Sequence, residues 1–328
     1  MLAGCSGPSG TSAASGGASK AADSGKASGY PEKTITLICQ FSAGGSSDLL
    51  NRALAEVASK QFGRPVVVEN KPGGSGTIGT DYVLKSKPDG YTLLGTSSGN
   101  FTTTPIVQGA PYDPQKDVTH IINIAKHPIS LVVNSSSPWK TLDDLVQYCK
   151  KNPGKLKFGQ NAPGGTNHMA VQLLNKAAGI KTSMVPYGGG TADVITALLG
   201  NHVDAGAVHP QEVAQYLKSG KLRMLTVMSE KRMESLPDVP TAKELGYDIV
   251  VEVNKGISGP AGMPADVVKT IHDKFKATME DPKFIELAKK TGDAEFLAYE
   301  DGAGLTKDPD KMRSDFSPML EELGLVKK

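Results

Sequence analysis

The stretch TITLICQFSAGGSSDLLNRALAEVASKQF, residues 34–62, decides the fold of this chain. Thr34 to Phe41 is a run of β-branched and apolar residues, which predicts a buried strand. The glycine loop Ser42 to Asp48 follows, and apolar residues then recur on one helical face as far as Phe62. A strand that passes through a short loop into a helix is the repeating unit of an α/β protein.

The same alternation of strand and helix continues along the chain. Further strand patterns lie at residues 65–69, 91–96, 129–133, 156–159, 182–185, 203–208 and 222–228. Helical patterns lie between most of them, and the chain after residue 264 is mainly helical. This order predicts an α/β fold with mainly parallel sheets and flanking helices. About 300 folded residues exceed one typical core, so we expect two lobes.

Four glycine-rich loops each join a strand to a helix. They are Ser42–Asp48, Pro72–Thr77, Pro163–His168 and Tyr187–Thr191. Glycine lets the backbone approach a ligand closely, and the first turn of a helix presents unpartnered N–H groups at the positive end of the dipole. Such loops bind anions without a lysine or an arginine. Any one of them can also be a simple turn, and none fits a nucleotide-binding fingerprint.

Composition excludes several classes of protein. The formal net charge is +2, and one Trp with 5% aromatic residues leaves little material for stacking on bases, so we expect no nucleic-acid partner. No run of about 18 apolar residues is present, so no segment predicts a membrane span. A role in transport would therefore need separate membrane subunits.

The N-terminus has the pattern of a targeting signal. Leu2-Ala3-Gly4-Cys5 resembles the bacterial lipobox, whose cysteine is acylated, and residues 6–29 are nearly all Ser, Gly, Ala, Thr and Lys. Such a segment predicts a disordered tether, so residues 1–29 are expected to link a lipid anchor on Cys5 to a folded protein. A chance cysteine before a disordered start is the alternative. Cys39 and Cys149 lie in apolar patterns and are expected to be core residues.

Two histidines lie near the starts of helices. His168 follows the third glycine loop, and His209 follows the strand pattern that ends at Val208. No HExxH spacing is present, so we expect no metal and no cofactor, and we expect no catalytic residue. Ligand contact or loop support is expected of both histidines. A Ser-His-Asp arrangement spread along the sequence stays open as an alternative.

Several motifs resemble the solute receptors of tripartite tricarboxylate transporters, also called the Bug family. They include Tyr30–Ile35, Gly63–Gly73, Lys87–Leu94, Pro111–Pro114, Asn152–Leu156, Val185–Tyr187, Leu236–Thr241 and Gly259–Pro264. The resemblance covers about residues 30–328. It implies a two-lobed "Venus flytrap", the type II periplasmic-binding-protein fold. On that fold we expect residues 30–127 plus 250–328 to form lobe 1 and residues 128–249 to form lobe 2.

The resemblance also implies a ligand site between the lobes. Family members bind citrate-like acids, dicarboxylates, acidic amino acids or aromatic acids, largely through loop amides and hydroxyls. Carried over by position and joined to the loop residues above, the expected ligand-binding set is Ser42, Ala43, Gly44, Gly45, Ser46, Asp48, Ser97, Ser98, Asn100, Thr166, His168, Tyr187, Gly189 and His209. Asp48 is also a candidate brace for its loop.

Departures from the family pattern fall in this expected site. Ser42-Ala43 replaces two prolines, and Gly188 stands where a lysine commonly follows Val-Pro-Tyr. These changes remove bulk and one cation, so the identity of the ligand cannot be copied from a relative. They predict a wider pocket.

The predicted function is that of an extracytoplasmic solute-binding receptor. It would capture a small organic anion and pass it to separately encoded membrane transporter subunits. We expect a monomer in the periplasm or anchored at the outer face of the cytoplasmic membrane. Two alternatives stay open at this point, a ligand-sensing domain for a signalling partner and an organic-acid hydrolase or isomerase that uses the same cleft.

Overall fold

A computed structural model of the chain describes residues 29–160, 163–187 and 191–326. Its strands are β1 (Ile35–Cys39), β2 (Val66–Asn70), β3 (Thr92–Ser97), β4 (Val118–Pro128), β5 (Ser130–Asn134), β6 (Lys157–Gln160), β7 (Ser183–Pro186), β8 (Ala205–Val208), β9 (Leu222–Val227), β10 (Glu252–Pro260) and β11 (Leu297–Asp301). Its helices are α1 (Ser46–Phe62), α2 (Thr77–Leu84), α3 (Thr103–Gln108), α4 (Leu142–Lys151), α5 (Thr166–Ala178), α6 (Thr191–Leu199), α7 (Pro210–Lys218), α8 (Ala265–Glu280), α9 (Pro282–Thr291) and α10 (Gly302–Glu322).

The strands form two sheets, one in each of two lobes. The first sheet has the order β11-β4-β10-β3-β1-β2, and the second has the order β7-β6-β8-β5-β9. Helices pack on both sheets, so the predicted two-lobed α/β fold is confirmed. The chain enters the second sheet between β4 and β5 and returns to the first between β9 and β10. The lobe boundaries given above are compatible with this division and stay a prediction.

The expectation of mainly parallel sheets is wrong, because both sheets are mixed. β1 runs parallel to β2 and β3, and β6 runs parallel to β7 and β8. In contrast, β10 runs antiparallel to β3 and β4, and β5 runs antiparallel to β8 and β9. Parallel pairs need a crossover, usually helical, between their strands. β4, β5, β9 and β10 lie next to the connections between the two sheets. They need no helical crossover to reach their partners, and they pair antiparallel.

The connection between the lobes is a set of three adjacent chain segments. The Ile129 amide donates to the Val251 carbonyl at 3.0 Å, and the Met228 amide donates to the Ile129 carbonyl at 2.8 Å. The Val251 amide donates to the Met228 carbonyl at 2.9 Å, which completes the set. All three residues are buried. The three chain segments that connect the sheets therefore lie side by side and are hydrogen-bonded to one another.

Each lobe has its own apolar core. In lobe 1, α1 buries a stripe that includes Leu50 and Leu54 against the sheet and packs on α8, where the Phe62 and Phe275 rings lie 5.4 Å apart. In lobe 2, α4 and α5 cover β5 and β6. Cys39 and Cys149 are buried and unbridged, as expected of core residues. Cys5 lies outside the described residues.

A smaller apolar cluster spans the two lobes. It joins α3, α5 and α10 through Val107, Met169, Phe316, Met319 and Leu320. The loop before α5 approaches α3 so closely that a Cβ on Gly164 would lie 2.2 Å from Val107 Cγ2. This contact holds the loops of lobe 2 against those of lobe 1.

Candidate ligand-binding site

A cavity of about 930 Å³ lies between loops of the two lobes. Nine of the fourteen residues that were predicted to bind the ligand line this cavity. These nine are Ser42, Ala43, Gly44, Gly45, Ser46, Ser97, Asn100, Thr166 and His209. Asp48, Ser98, His168 and Tyr187 lie outside its lining, and Gly189 lies outside the described residues.

The first glycine loop is held in shape by Asp48. This carboxylate is buried and accepts hydrogen bonds from the Gly44 amide at 2.9 Å, from Arg52 Nε at 2.9 Å and from Asn70 Nδ2 at 2.8 Å. Burial alone would raise the pKa of Asp48, but these hydrogen bonds bring it below its ordinary value. Asp48 therefore braces the loop whose backbone lines the cavity.

Two helix N-termini face the cavity without a side-chain cap. The N-cap of α1 is Gly45 and that of α5 is Gly165, and neither has a side chain that could accept from the first turn. Ser46 of α1 and Thr166 of α5 line the cavity. Unpartnered N–H groups and the positive end of the dipole make each of these a site for negative charge.

The loop before α5 is supported by His168. Its Nδ1 accepts from the Gly164 amide at 2.8 Å, and its side chain is almost fully buried. Burial lowers the pKa of His168 to about 4, so the imidazole is neutral near pH 7. Asn167, which does line the cavity, donates from Nδ2 to the Ala207 carbonyl at 2.8 Å and ties α5 to β8.

The end of β3 supplies a second group of polar side chains. Ser98 Oγ accepts from the Asn254 amide at 3.1 Å and so ties β3 to β10 from behind the lining. Asn100 donates to the Ser75 carbonyl at 2.9 Å and accepts from Gln40 Nε2 at 3.3 Å. The second glycine loop closes over Asn100, because a Cβ on Gly76 would lie only 2.5 Å from Asn100 Nδ2.

Tyr187 has a different position from the one expected. Its ring is half-buried among apolar side chains of lobe 2, and its amide donates to the Gln160 carbonyl at 2.9 Å. Gly188–Gly190, which follow it in the sequence, lie outside the described residues.

The floor of the cavity carries charged residues that the sequence analysis missed. Lys255 on β10 is 5% exposed, and its Nζ donates to Ser47 Oγ. Burial lowers the pKa of Lys255, and the charges of Glu212 and Asp293 oppose that shift. A lone lysine between Val253 and Ile257, in an otherwise buried strand, is the sequence signal that could have indicated this residue.

Glu212 lies on the opposite lobe, in the first turn of α7. Burial raises its pKa to about 6, while the Lys255 charge, the His209 amide and the hydroxyls of Ser46 and Thr191 oppose the shift. The His209 amide lies 3.3 Å from Glu212 Oε2, which is a helix-capping contact. Helix α7 was not predicted, because the residues 210–218 have no long apolar run, and Glu212 was missed with it.

Two buried histidines lie beside these charges. His209 lines the cavity, and its Nδ1 lies 3.2 Å from the Pro128 carbonyl. Because a carbonyl only accepts, Nδ1 carries the proton and Nε2 is left as an acceptor. His127 Nδ1 accepts from Gln211 Nε2 at 2.9 Å, and its Nε2 lies 3.1 Å from Asp293 Oδ1. Burial lowers the pKa of both imidazoles. Within the described residues, no cluster of His, Cys, Asp and Glu could hold a metal ion.

Comparison with known proteins decides the family. The model of the "Tripartite tricarboxylate transporter family receptor" matches residues 50–306. The chain belongs to this family. A Cupriavidus necator protein, "UPF0065 protein in gbd 5'region", is 37% identical over 299 residues, which cover 91% of this chain and 90% of the relative. The resemblance that the sequence motifs indicated is therefore confirmed.

Solved structures of similar proteins share the fold. The periplasmic binding protein BugD is 31% identical, with a TM-score of 0.80 over 91% of this chain and 100% of BugD. The R. palustris protein Rpa4515, solved with adipate, is 27% identical, with a TM-score of 0.82 over 90% of this chain and 99% of its own. In the described part of the receptor, no helix has both the length and the apolar character needed to cross a bilayer.

Proposed function

We propose that this receptor binds a small carboxylate between its lobes and delivers it to a tripartite tricarboxylate-type transporter made of other chains. Membership of the receptor family supports the transport role. The adipate held by the similar R. palustris protein supports a carboxylate as the ligand. A solute receptor of this kind acts outside the cytoplasm, and we place this one in the periplasm or on the outer face of the cytoplasmic membrane, as a monomer held by Cys5.

One observation carries the proposal. The uncapped N-termini of α1 and α5 belong to different lobes and open onto the same cavity. An anion between them would be bound by N–H groups from both lobes and would hold the lobes together. Lys255 adds a buried positive charge at the floor of the same cavity. This arrangement favours a negatively charged ligand over a neutral one of the same shape.

The predicted residues take two roles in this proposal. Those that line the cavity contact the ligand, and the backbone of the first glycine loop with Thr166 supplies most of the N–H groups. Asp48, Ser98 and His168 hold those loops in position from behind, through the Gly44 amide, the Asn254 amide and the Gly164 amide. The two lobes, residues 30–127 with 250–328 and residues 128–249, would close on the ligand by hinge motion.

A ligand panel tests the proposal with the full chain. Thermal shift and calorimetry would compare mono-, di- and tricarboxylates, acidic amino acids and aromatic acids with their primary amides, which keep the shape but lose the charge. A ligand at about 100 times its Kd adds roughly 2.7 kcal/mol to the free energy of unfolding. We expect at least one acid to stabilise the protein and its amide to have little effect.

Two results would contradict the proposal. Equal stabilisation by an acid and its amide would show that the cavity does not select for charge, and no binding across the panel would exclude a carboxylate receptor. The bound compound should be recovered unchanged. Its conversion to another compound would instead establish an enzyme.

A further inference from the structure

The charged side chains at the floor of the cavity do not form a purely positive site, which is what a ligand with only negative charge would require. Lys255 supplies one positive charge, whereas Glu212 and Asp293 supply two carboxylates, and all three residues line the cavity. His209 and His127 add no charge near pH 7, because burial lowers the pKa of both. A ligand that brought only negative charge would meet Lys255 favourably and the carboxylates unfavourably.

Lys255 is a buried ammonium with unused donors. An ammonium group has three N–H donors. Among the residues that the structure describes, Ser47 Oγ is the one acceptor within hydrogen-bond distance of Nζ, and no carboxylate lies within 4 Å. Burying a charge with so few partners is costly. An anionic group in the cavity would supply the missing acceptors beside the first turn of α1.

Glu212 offers the opposite charge from the other lobe. It projects from α7, is half-buried and lines the cavity without an ion pair among the described residues. Asp293, in contrast, is almost fully buried and is engaged by Thr291 Oγ1 at 2.7 Å and by His127. Glu212 accepts from the His209 amide at 3.3 Å and from the hydroxyls of Ser46 and Thr191, but it is the more exposed of the two carboxylates and so the one within reach of a ligand.

We propose that Lys255 and Glu212, from opposite lobes, select a ligand that carries a carboxylate and an ammonium group together, as an amino acid does. The carboxylate would lie against Lys255, Ser47 and the start of α1, and the ammonium would lie against Glu212. This inference rests on the proposed function. It narrows the expected ligand from any small carboxylate to one that also carries an ammonium group. A second carboxylate on the ligand would have the start of α5 as its site.

The test uses matched pairs of compounds that differ by the ammonium group alone. Calorimetry on the full chain would compare aspartate with succinate, glutamate with glutarate, and alanine with propionate. Charge-assisted hydrogen bonds are worth about 1.5–3 kcal/mol, so the amino acid of the best-bound pair is expected to bind about tenfold to a hundredfold more tightly.

Variants assign the preference to the two residues. Glu212→Gln keeps the shape of the side chain and is expected to remove most of the preference for the amino acid. Lys255→Met is expected to weaken both members of a pair. Glu234→Gln, a change at an exposed position, is the control and should leave both affinities unaltered.

The outcomes separate this inference from the proposed function. Binding of succinate or glutarate as tight as that of its amino acid would overturn the inference and leave a carboxylate receptor in place. An unchanged preference in Glu212→Gln would also overturn it. The comparison on the wild-type chain decides the matter even where a variant fails to fold, and no binding by any compound would overturn both proposals.

Discussion

Single residues behind the cavity lining set the shape of the site. Asp48 and His168 were each expected to contact the ligand or to support a loop, and each binds the backbone amide of a glycine in a loop that leads into a helix. Both residues are close to the site in the sequence because they support the loops that line it. The sequence does not show which role Asp48 takes, since that depends in part on Asn70, which is 22 residues away along the chain.

Loss of the Asp48 charge should loosen the first loop. Asp48→Asn keeps the size of the side chain but removes the charge that Arg52 and the Gly44 amide bind. We expect a loss of about 1–3 kcal/mol in the free energy of unfolding, measured by urea denaturation, because a buried hydrogen-bonded charge is replaced. Ligand affinity should fall as well. The exposed change Asp238→Asn should alter neither, and equal effects of the two changes would contradict the bracing role.

The buried neutral histidine makes the protein sensitive to acid. The pKa of His168 is lowered to about 4, so below pH 6.5 the unfolded chain takes up a proton that the folded chain does not. The contribution to stability is complete above pH 6.5 and is lost toward pH 4, by at most about 3 kcal/mol. His168→Gln should flatten this part of the stability profile, measured by urea unfolding at each pH.

Glu212 has the opposite effect on the free energy of unfolding as the pH falls. Its contribution must therefore be separated from that of His168. Its pKa is raised to about 6, so it adds stability as the pH falls from 6 toward its unfolded value. The relevant quantity is therefore the difference between wild type and His168→Gln at each pH. The exposed change His202→Gln is the control, and a difference that stayed constant from pH 7 to pH 4 would contradict the assignment.

At the scale of elements, the prediction succeeded where strands are apolar and failed where buried polar side chains interrupt the apolar pattern. The pattern at residues 34–62 gave β1 and α1, which are observed at Ile35–Cys39 and Ser46–Phe62. β4 and β10 were not predicted, because His127, Asn254 and Lys255 interrupt their apolar pattern. All three polar residues are buried, and Lys255 lines the cavity. The local sequence of β10 therefore disagrees with the fold at the strand that brings Lys255 to the cavity.

The contact between α3 and the loop before α5 can be tested with two glycines. Gly164 and Gly179 both have a positive φ, at 70° and 62°, so alanine at either should cost about 1 kcal/mol in backbone strain. A Cβ at Gly179 meets nothing within 4 Å, whereas one at Gly164 would meet Val107. Only Gly164→Ala should also weaken ligand binding in calorimetry. Equal affinities in the two variants would show that the lobes do not depend on this contact.

At the scale of the whole molecule, the apolar cluster of α3, α5 and α10 bridges the lobes. No periodicity within a single helix could predict it, since its members come from three distant parts of the chain. Apolar burial is insensitive to the chemistry of the ligand. The cluster therefore holds the two lobes together equally for every ligand, while the cavity decides which ligand is bound.

Shortening Leu320 should change how long a ligand stays bound. Leu320→Ala removes a fully buried side chain from the bridging cluster, and Leu54→Ala removes one from the core of lobe 1. Each should cost about 2–5 kcal/mol in the free energy of unfolding. Only Leu320→Ala should raise the ligand dissociation rate in stopped-flow measurements. A similar rate in both variants would mean that the cluster does not hold the lobes together.

The central position of β10 in the first sheet also determines the order in which the two lobes fold. Every strand of the second sheet precedes residue 228, so that sheet is complete while β10 has not yet been synthesised. The first sheet lacks the strand between β3 and β4 until residue 260. Pairings between distant segments form slowly, so lobe 1 is the later lobe to fold. Until then β3 and β4 present unpaired edges, and a nascent or translocating chain is most open to aggregation at those two strands.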